Sequence, residues 1–191
     1  MNQEEHFNRI IKYYRNSRRG FNVVLWGSKH FGYYQNNKQV SEKEAQLLMQ
    51  DLVGKKLELS KSGIILDAGC GQGIVSTYLA RKFKCKIEGI TIVPFEIEEA
   101  KILSKKLNVE GNVRYSLMDY SDLKFKNNYF DAVYTIESLV HSMNPKKTLK
   151  EFFRVLKKGG KIALFEYTLA DEEVFSKYEK RMLDAIINGT A

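Results

Sequence analysis

Short apolar runs alternate along this chain with stretches whose apolar side chains recur at helical spacing, the signature of strands alternating with helices. Phe7, Ile10, Ile11 and Tyr14 predict an opening helix, and a looser aromatic segment, WGSKHFGYY, follows over 26–34. Ser41 with Glu44 three residues later is a capping box. Ala45, Leu48, Met49 and Leu52 then form one apolar face, and Gly54 marks the stop. Ile64, Ile65 and Leu66 predict a buried strand, followed by a glycine-rich turn and a helix over 74–83. A second strand spans 86–92, and Pro94, at a favoured first helical position, opens a helix to about Leu107. Strands three and four are predicted over 113–118 and 129–136. Asn144-Pro145 starts a helix with Leu149, Phe152, Phe153 and Leu156 on one face, which Gly159-Gly160 ends. A fifth strand covers 161–167, and a last helix carries Phe175, Tyr178, Met182 and Ile186.

Five strands separated by helices imply an α/β fold with a doubly wound, parallel, Rossmann-like sheet. In such sheets ligands bind at the carboxyl ends of the strands, which narrows the search for chemistry to the residues just after each one. Composition changes little in this picture. The 191 residues are 43% hydrophobic and 28% charged, an ordinary globular balance. The charge of +8 is mostly scattered lysine, without the clustered basic and aromatic stripe of a nucleic-acid surface. No apolar stretch approaches the roughly 20 residues of a membrane span, and the polar start MNQEEHFNRIIKYYRN does not read as a secretory signal. Cys70 and Cys85 are too few for a disulfide scaffold or a zinc cluster, so no metal is expected and the compartment reads as a reducing cytoplasm.

The densest chemical signal is Asp67-Ala68-Gly69-Cys70-Gly71-Gln72-Gly73, directly after the first strand. Glycines there let the backbone turn tightly and approach a ligand closely. A dinucleotide fingerprint would place its third glycine at position 74, which is Ile74, so the spacing disfavours NAD. Asp67 would also repel a pyrophosphate, whereas it suits a ligand carrying an ammonium or sulfonium charge. The competing reading is a plain strand-to-helix turn.

On these residues the sequence resembles the class I S-adenosylmethionine-dependent methyltransferases, whose first motif LDAGCGQG is similar to. The segments WGSKHFGYY, EGITIVPFEIEEA, YTIESLVHS and FFRVLKKGGKIALFEY narrow the resemblance. They are similar to the branch of sterol and tocopherol C-methyltransferases, cyclopropane synthases and natural-product O-methyltransferases. The resemblance implies S-adenosyl-L-methionine as cofactor, held by Asp67, Gly69, Cys70, Gly71 and Gly73. Thr91 stands where many members end the second strand in an acid, and by the resemblance Thr91 and Ile92 border the cofactor. In this branch a Gln five residues later takes the ribose, and the matching position is Glu96, whose carboxylate can accept from both hydroxyls of a cis-diol. A first-turn helix acid favoured by the dipole is the alternative for Glu96. By the same resemblance Asp119 accepts from the adenine amino group, Tyr120 lies near the ring and Glu137 lies beside the cofactor.

His141 and Glu166, after the fourth and fifth strands, are the candidate bases that take the proton displaced on methylation. Residues 1–40, with His30, Phe31, Tyr33 and Tyr34, look like the lid of this branch, His30 and Tyr33 being the candidate substrate contacts; core packing is the alternative for these rings. Residues 41–191 form the cofactor domain, expected to be incomplete at its C-terminus, as a fragment or a naturally shortened protein, because the two further strands of the family sheet do not follow. The fifth strand is thereby expected as a bare edge open to another chain or a second copy. The implied function is methyl transfer to a hydroxyl or unsaturated carbon of a small hydrophobic molecule. A catalytically silent cofactor-binding subunit is the alternative, and an RNA methyltransferase is a more distant one.

Overall fold

The computed structural model describes residues 2–25, 27–35, 39–167, 176, 177 and 180. The sequence-predicted helix through Phe175, Tyr178, Met182 and Ile186 therefore lies outside the described residues, as does Trp26. Two helices come first. Helix α1 (Gln3–Val24) begins in a capping box in which Asn2 and Glu5 satisfy each other's backbone N–H groups. Helix α2 (Glu42–Lys56) begins in the expected box of Ser41 and Glu44.

Strands and helices then alternate: β1 (Ile64–Ala68), α3 (Ile74–Phe83), β2 (Lys86–Thr91), α4 (Pro94–Lys106), β3 (Val113–Leu117), β4 (Phe130–Ile136), α5 (Pro145–Val155) and β5 (Leu156–Phe165). All neighbours pair in parallel, in the order β3-β2-β1-β4-β5. The chain winds outward from β1 to β3 and then crosses back to β4, so the switch point lies between β1 and β4. Successive residues of the central strands feed opposite cores. Ile65, Ile87, Ala132 and Tyr134 pack with Leu79 of α3 and Val53 of α2. Leu66, Ile90 and Val133 pack with Phe152 and Val155 of α5.

The structure corrects two expectations in the last helix-strand unit. First, α5 stops at Val155, and Leu156 already pairs with Phe130 as the first residue of β5. Gly159-Gly160 does not end the helix; it lies in a bulge where the register shifts between Phe130 and Ala132, with Gly159 at φ +78°. An apolar periodicity cannot distinguish the last helical turn from the first residue of a buried strand. Second, the buried face of α5 is Thr148, Phe152 and Val155, whereas Phe153 is 83% exposed and Leu149 is exposed as well. In α2 too the buried side chains, Ala45, Gln46, Gln50 and Val53, are rotated from the expected stripe, because polar Gln46 and Gln50 turn inward to bond His30.

Phe152 has no exposed surface, so Phe152→Ala is expected to cost about 3–5 kcal/mol in denaturant unfolding. Phe153→Ala should stay within about 0.5 kcal/mol of the wild type. Equal losses at the two positions would contradict the observed face.

Candidate active site

One cavity of about 270 Å³ opens at the carboxyl ends of β1, β2, β3 and β4, roofed by α1. The roof follows from helical periodicity: Gln3, Phe7, Ile10 and Tyr14 line it together, one face of a single helix. Of the residues proposed from the sequence, Asp67, Gly69, Cys70, Gly71, Thr91, Ile92, Glu96, Asp119, Tyr120, Glu137, His141 and His30 line this cavity. Gly73, Tyr33 and Glu166 do not, and each is accounted for below.

The turn after β1 is built from backbone that only glycine tolerates comfortably. Gly69 has φ +103°, and a Cβ there would sit 2.4 Å from Cβ and Oγ of Ser138. That close approach lets Ser138 Oγ donate to the Ala68 carbonyl at 2.6 Å, tying the ends of β1 and β4 together. Gly73 caps α3 in the left-handed region, against Tyr115 and Ala100, and acts by shaping the turn. Gly71 presents bare backbone toward Glu96.

Four carboxylates line the cavity: Asp67 near the end of β1, Glu96 in the first turn of α4, Asp119 after β3 and Glu137 after β4. Asp67 is buried, and its Oδ2 accepts from Ser76 Oγ at 2.5 Å and Tyr134 Oη at 2.6 Å. Burial raises its pKa to about 6, although both hydrogen bonds pull the other way. Glu96 is also buried; Thr91 Oγ1 donates to its Oε2 at 2.8 Å, and Lys29 pairs with its Oε1. Asp119 is half-buried and folds into an Asx turn, accepting from Ser121 N at 2.7 Å and Ser121 Oγ at 2.6 Å. Gln3 Nε2 donates to it at 2.8 Å. Tyr120 packs edge-on to Phe152 and donates to the Ser138 carbonyl at 2.9 Å.

The chemistry side of the cavity follows β4. Glu137, held at φ +50°, accepts from the Phe31 amide at 2.9 Å, and burial raises its pKa. His141 ends a short 3-10 turn (Leu139–His141). Its Nε2 lies 2.8 Å from the Tyr14 hydroxyl, and its carbonyl accepts from His6 Nε2 at 2.8 Å. Burial, reinforced by the neighbouring His6, lowers the pKa of His141 and so favours neutral imidazole. Burial, with the charge of Glu96 adding to it, raises the Tyr14 phenol and keeps it protonated.

Glu166 sits behind this turn: its Oε1 accepts from Thr135 Oγ1 at 2.7 Å and from the Leu139 amide at 3.1 Å. Among the described residues its buried Oε2 has no hydrogen-bond partner. His30 is almost fully buried; its Nδ1 donates to the Phe31 carbonyl at 2.8 Å, and Gln46 Nε2 donates to its own carbonyl. The amide of Tyr33 donates to the Ala45 carbonyl at 2.8 Å, fastening the aromatic segment to α2.

Sequence reasoning missed Gln3, His6, Tyr14 and Lys29 as members of this constellation. The predicted α1 stripe named Tyr14 as a packing residue, and the i, i+4, i+7, i+11 spacing from Gln3 was the available signal. Among the described residues, no His, Cys, Asp or Glu cluster is arranged to hold a metal ion, and no helix is long and apolar enough to cross a membrane.

The donor set fits the cofactor that the sequence resemblance implies. Carboxylates able to accept hydrogen bonds from amines and hydroxyls line the cavity beside bare glycine backbone. Residues 66–164 match the family described as a methyltransferase domain. An S-adenosyl-L-methionine-dependent Diels-Alderase from Talaromyces variabilis is 35% identical over 85% of this chain and 58% of its own length. A sterol 24-C-methyltransferase from Candida albicans is 28% identical over 93% of this chain and 47% of its own. The crystal structure of the [4+2]-cyclase SpnF superposes with a TM-score of 0.77 at 29% identity, covering 81% of this chain and 58% of that one. The chain thus spans about half the length of the curated relatives it matches.

Proposed function

Because this chain belongs to the methyltransferase-domain family, we propose that it transfers the methyl group of S-adenosylmethionine to a hydroxyl or unsaturated carbon of a small, hydrophobic molecule. The observation that carries this reading is that three carboxylates, Asp67, Glu96 and Asp119, line one cavity. Asp67 takes the cationic amino group, Glu96 the ribose hydroxyls and Asp119 the adenine amine. Tyr120 borders the base, and Glu137 lies beside the cofactor. When bound, the cofactor supplies a methyl group already activated on a sulfonium, which leaves positioning and proton removal to the protein.

Neutral His141 is the proton acceptor of this reading. Tyr14 takes the acceptor's proton while passing its own to His141 Nε2, across the 2.8 Å contact. Glu166 acts as a positioning residue through Thr135 and the Leu139 amide, which set the 3-10 turn. Residues 1–40 act as the lid, with Phe7 and Ile10 forming apolar wall. His30 and Tyr33 enter the substrate region through the backbone they brace. Two buried cysteines without a disulfide support a reducing cytoplasmic setting. The scattered basic charge supports a small molecule rather than RNA as acceptor.

His141→Ala is expected to lower turnover by about 10²–10⁴-fold while S-adenosylhomocysteine affinity stays near the wild type. An unchanged rate removes His141 as base. A second reading is favoured by the similarity to a Diels-Alderase and to a [4+2]-cyclase: cofactor-dependent cyclisation without methyl transfer. Stoichiometric formation of S-adenosylhomocysteine with product supports transfer, whereas product formed without it supports cyclisation.

We also propose that the β5 edge pairs with a second copy of this chain. Ile162 and Leu164 are in register with Val133 and Thr135, which places them on the α5 side, and both are exposed there together with Phe153 and Leu149. Among the described residues β5 pairs with β4 alone, and an edge of that kind offers the same hydrogen-bonding row to its copy, so a two-fold pairing is self-complementary. Light scattering is expected to show a dimer that Leu164→Lys converts to monomer. A wild type that is monomeric at all concentrations overturns the pairing.

A further inference from the structure

The ion pair between Lys29 and Glu96 goes beyond what the carboxylate assignments require. Lys29 lies between α1 and α2, with its side chain 8% exposed, and the Glu96 side chain is 3% exposed. Around the ammonium stand three aromatic rings, with centres at 4.9 Å for Tyr14, 5.8 Å for Phe95 and 5.9 Å for Phe21. Two of the rings belong to α1 and one to α4. The cation is thus held by one carboxylate oxygen and a cage of ring faces, which attract it through their quadrupoles. Lys29 itself has φ +55°, a conformation that costs a non-glycine residue free energy and persists only where its surroundings hold it.

A buried carboxylate without a compensating charge is expensive, and removing one partner of a buried pair is more damaging than removing both. Glutamine, the ribose-binding residue of the branch that the sequence resembles, is neutral and needs no such partner. Glutamate does. Among the described residues each Glu96 oxygen carries one hydrogen bond, Oε1 from Lys29 and Oε2 from Thr91, so lone pairs remain for further donors from the cavity that both residues line.

We propose that Lys29 is a positioning residue for the ribose subsite. Its ammonium balances the charge of Glu96, and the same bond latches the 27–35 segment, and through the aromatic cage α1, over the cofactor. This rests on the assignment of Glu96 to the ribose. Cofactor binding and closure of the N-terminal segment then become one event, because the carboxylate that grips the diol also grips the roof.

The test is a double-substitution cycle of Lys29→Met and Glu96→Gln. It is read as S-adenosylhomocysteine affinity by calorimetry and as amide hydrogen exchange across α1 in the ligand-free chain. Lys29→Met is expected to weaken binding about tenfold or more and to speed exchange in α1. Glu96→Gln, which strands the ammonium, should weaken binding as well. The double variant should bind more tightly than either single variant, because no unpaired charge remains. A double variant no better than the weaker single one overturns the proposal, as does a Lys29→Met chain with wild-type affinity or wild-type exchange in α1. A wild type that binds no S-adenosylhomocysteine overturns the cofactor reading and this proposal with it; a binding wild type with an additive cycle overturns this proposal alone.

Discussion

A Gly69→Val chain is expected to bind no measurable S-adenosylhomocysteine at concentrations that saturate the wild type, and to lose about 3 kcal/mol or more of stability. Two effects act together. Valine is strained at φ +103°, a region costing a non-glycine residue about 1–3 kcal/mol. Its Cβ would also stand 2.4 Å from Ser138, which must then move. Moving Ser138 breaks its bond to the Ala68 carbonyl and shifts the carbonyl that anchors Tyr120. The ends of β1 and β4 part at the switch point where the cavity forms. Denaturant unfolding and calorimetry check both halves, and a variant that binds normally shows that the turn does not shape the pocket. Ser138→Gly in the same chain should restore part of the lost stability by removing the struck atoms.

The second large effect is a pH dependence centred on Asp67. Its folded pKa of about 6 lies above the ordinary aspartate value of 3.8, chiefly through burial. The native state therefore holds the proton more tightly than the unfolded chain does. This contribution is fully present below about 3.8 and is lost as pH rises through about 6. The stability difference between wild type and Asp67→Asn should accordingly move in favour of the wild type, by about 2 kcal/mol, as pH falls from about 7 to about 4. Ligand affinity runs the other way. A cationic amine prefers the ionised carboxylate, so wild-type affinity should fall about tenfold per unit of pH below about 6 and level off above it. Asp67→Asn should bind weakly with a flat profile. A wild-type profile equally flat would show that no cation meets Asp67.

How much of this was legible in the sequence depended on how local the physics was. The first four strands, the sheet class and the glycine turn follow from short-range patterns, and the structure places them where the patterns did, whereas the fifth strand begins at Leu156 and not at Lys161. Capping at Ser41 and the helix start at Pro94 are equally local. The end of α5 was not legible, because Leu156 satisfies a helical stripe and a strand pairing alike. Nor was the burial of Gln46 and Gln50, since an inward amide makes sense only once His30 is known to lie beside it.

The same division holds within the site. Asp67 could be named because it opens the glycine-rich turn at a strand end, and Glu96 and Asp119 because the resemblance marks their positions. Lys29 and Tyr14 could not, because their partners, Glu96 and His141, lie 67 and 127 residues away along the chain. Glu166 also follows a strand end, yet its Oε1 faces Thr135 and the Leu139 amide, and it does not line the cavity. A strand-end rule gives the position of a residue and not the direction of its side chain.

The most direct measurement is calorimetric titration of the wild-type chain with S-adenosylhomocysteine at pH 7.5, with Asp67→Asn and Asp119→Asn alongside. The account predicts one site per chain with micromolar affinity, weakened by each substitution. A folded chain that takes up no ligand, or one whose affinity is untouched by both substitutions, would contradict the claim that these strand-end carboxylates form a cofactor site.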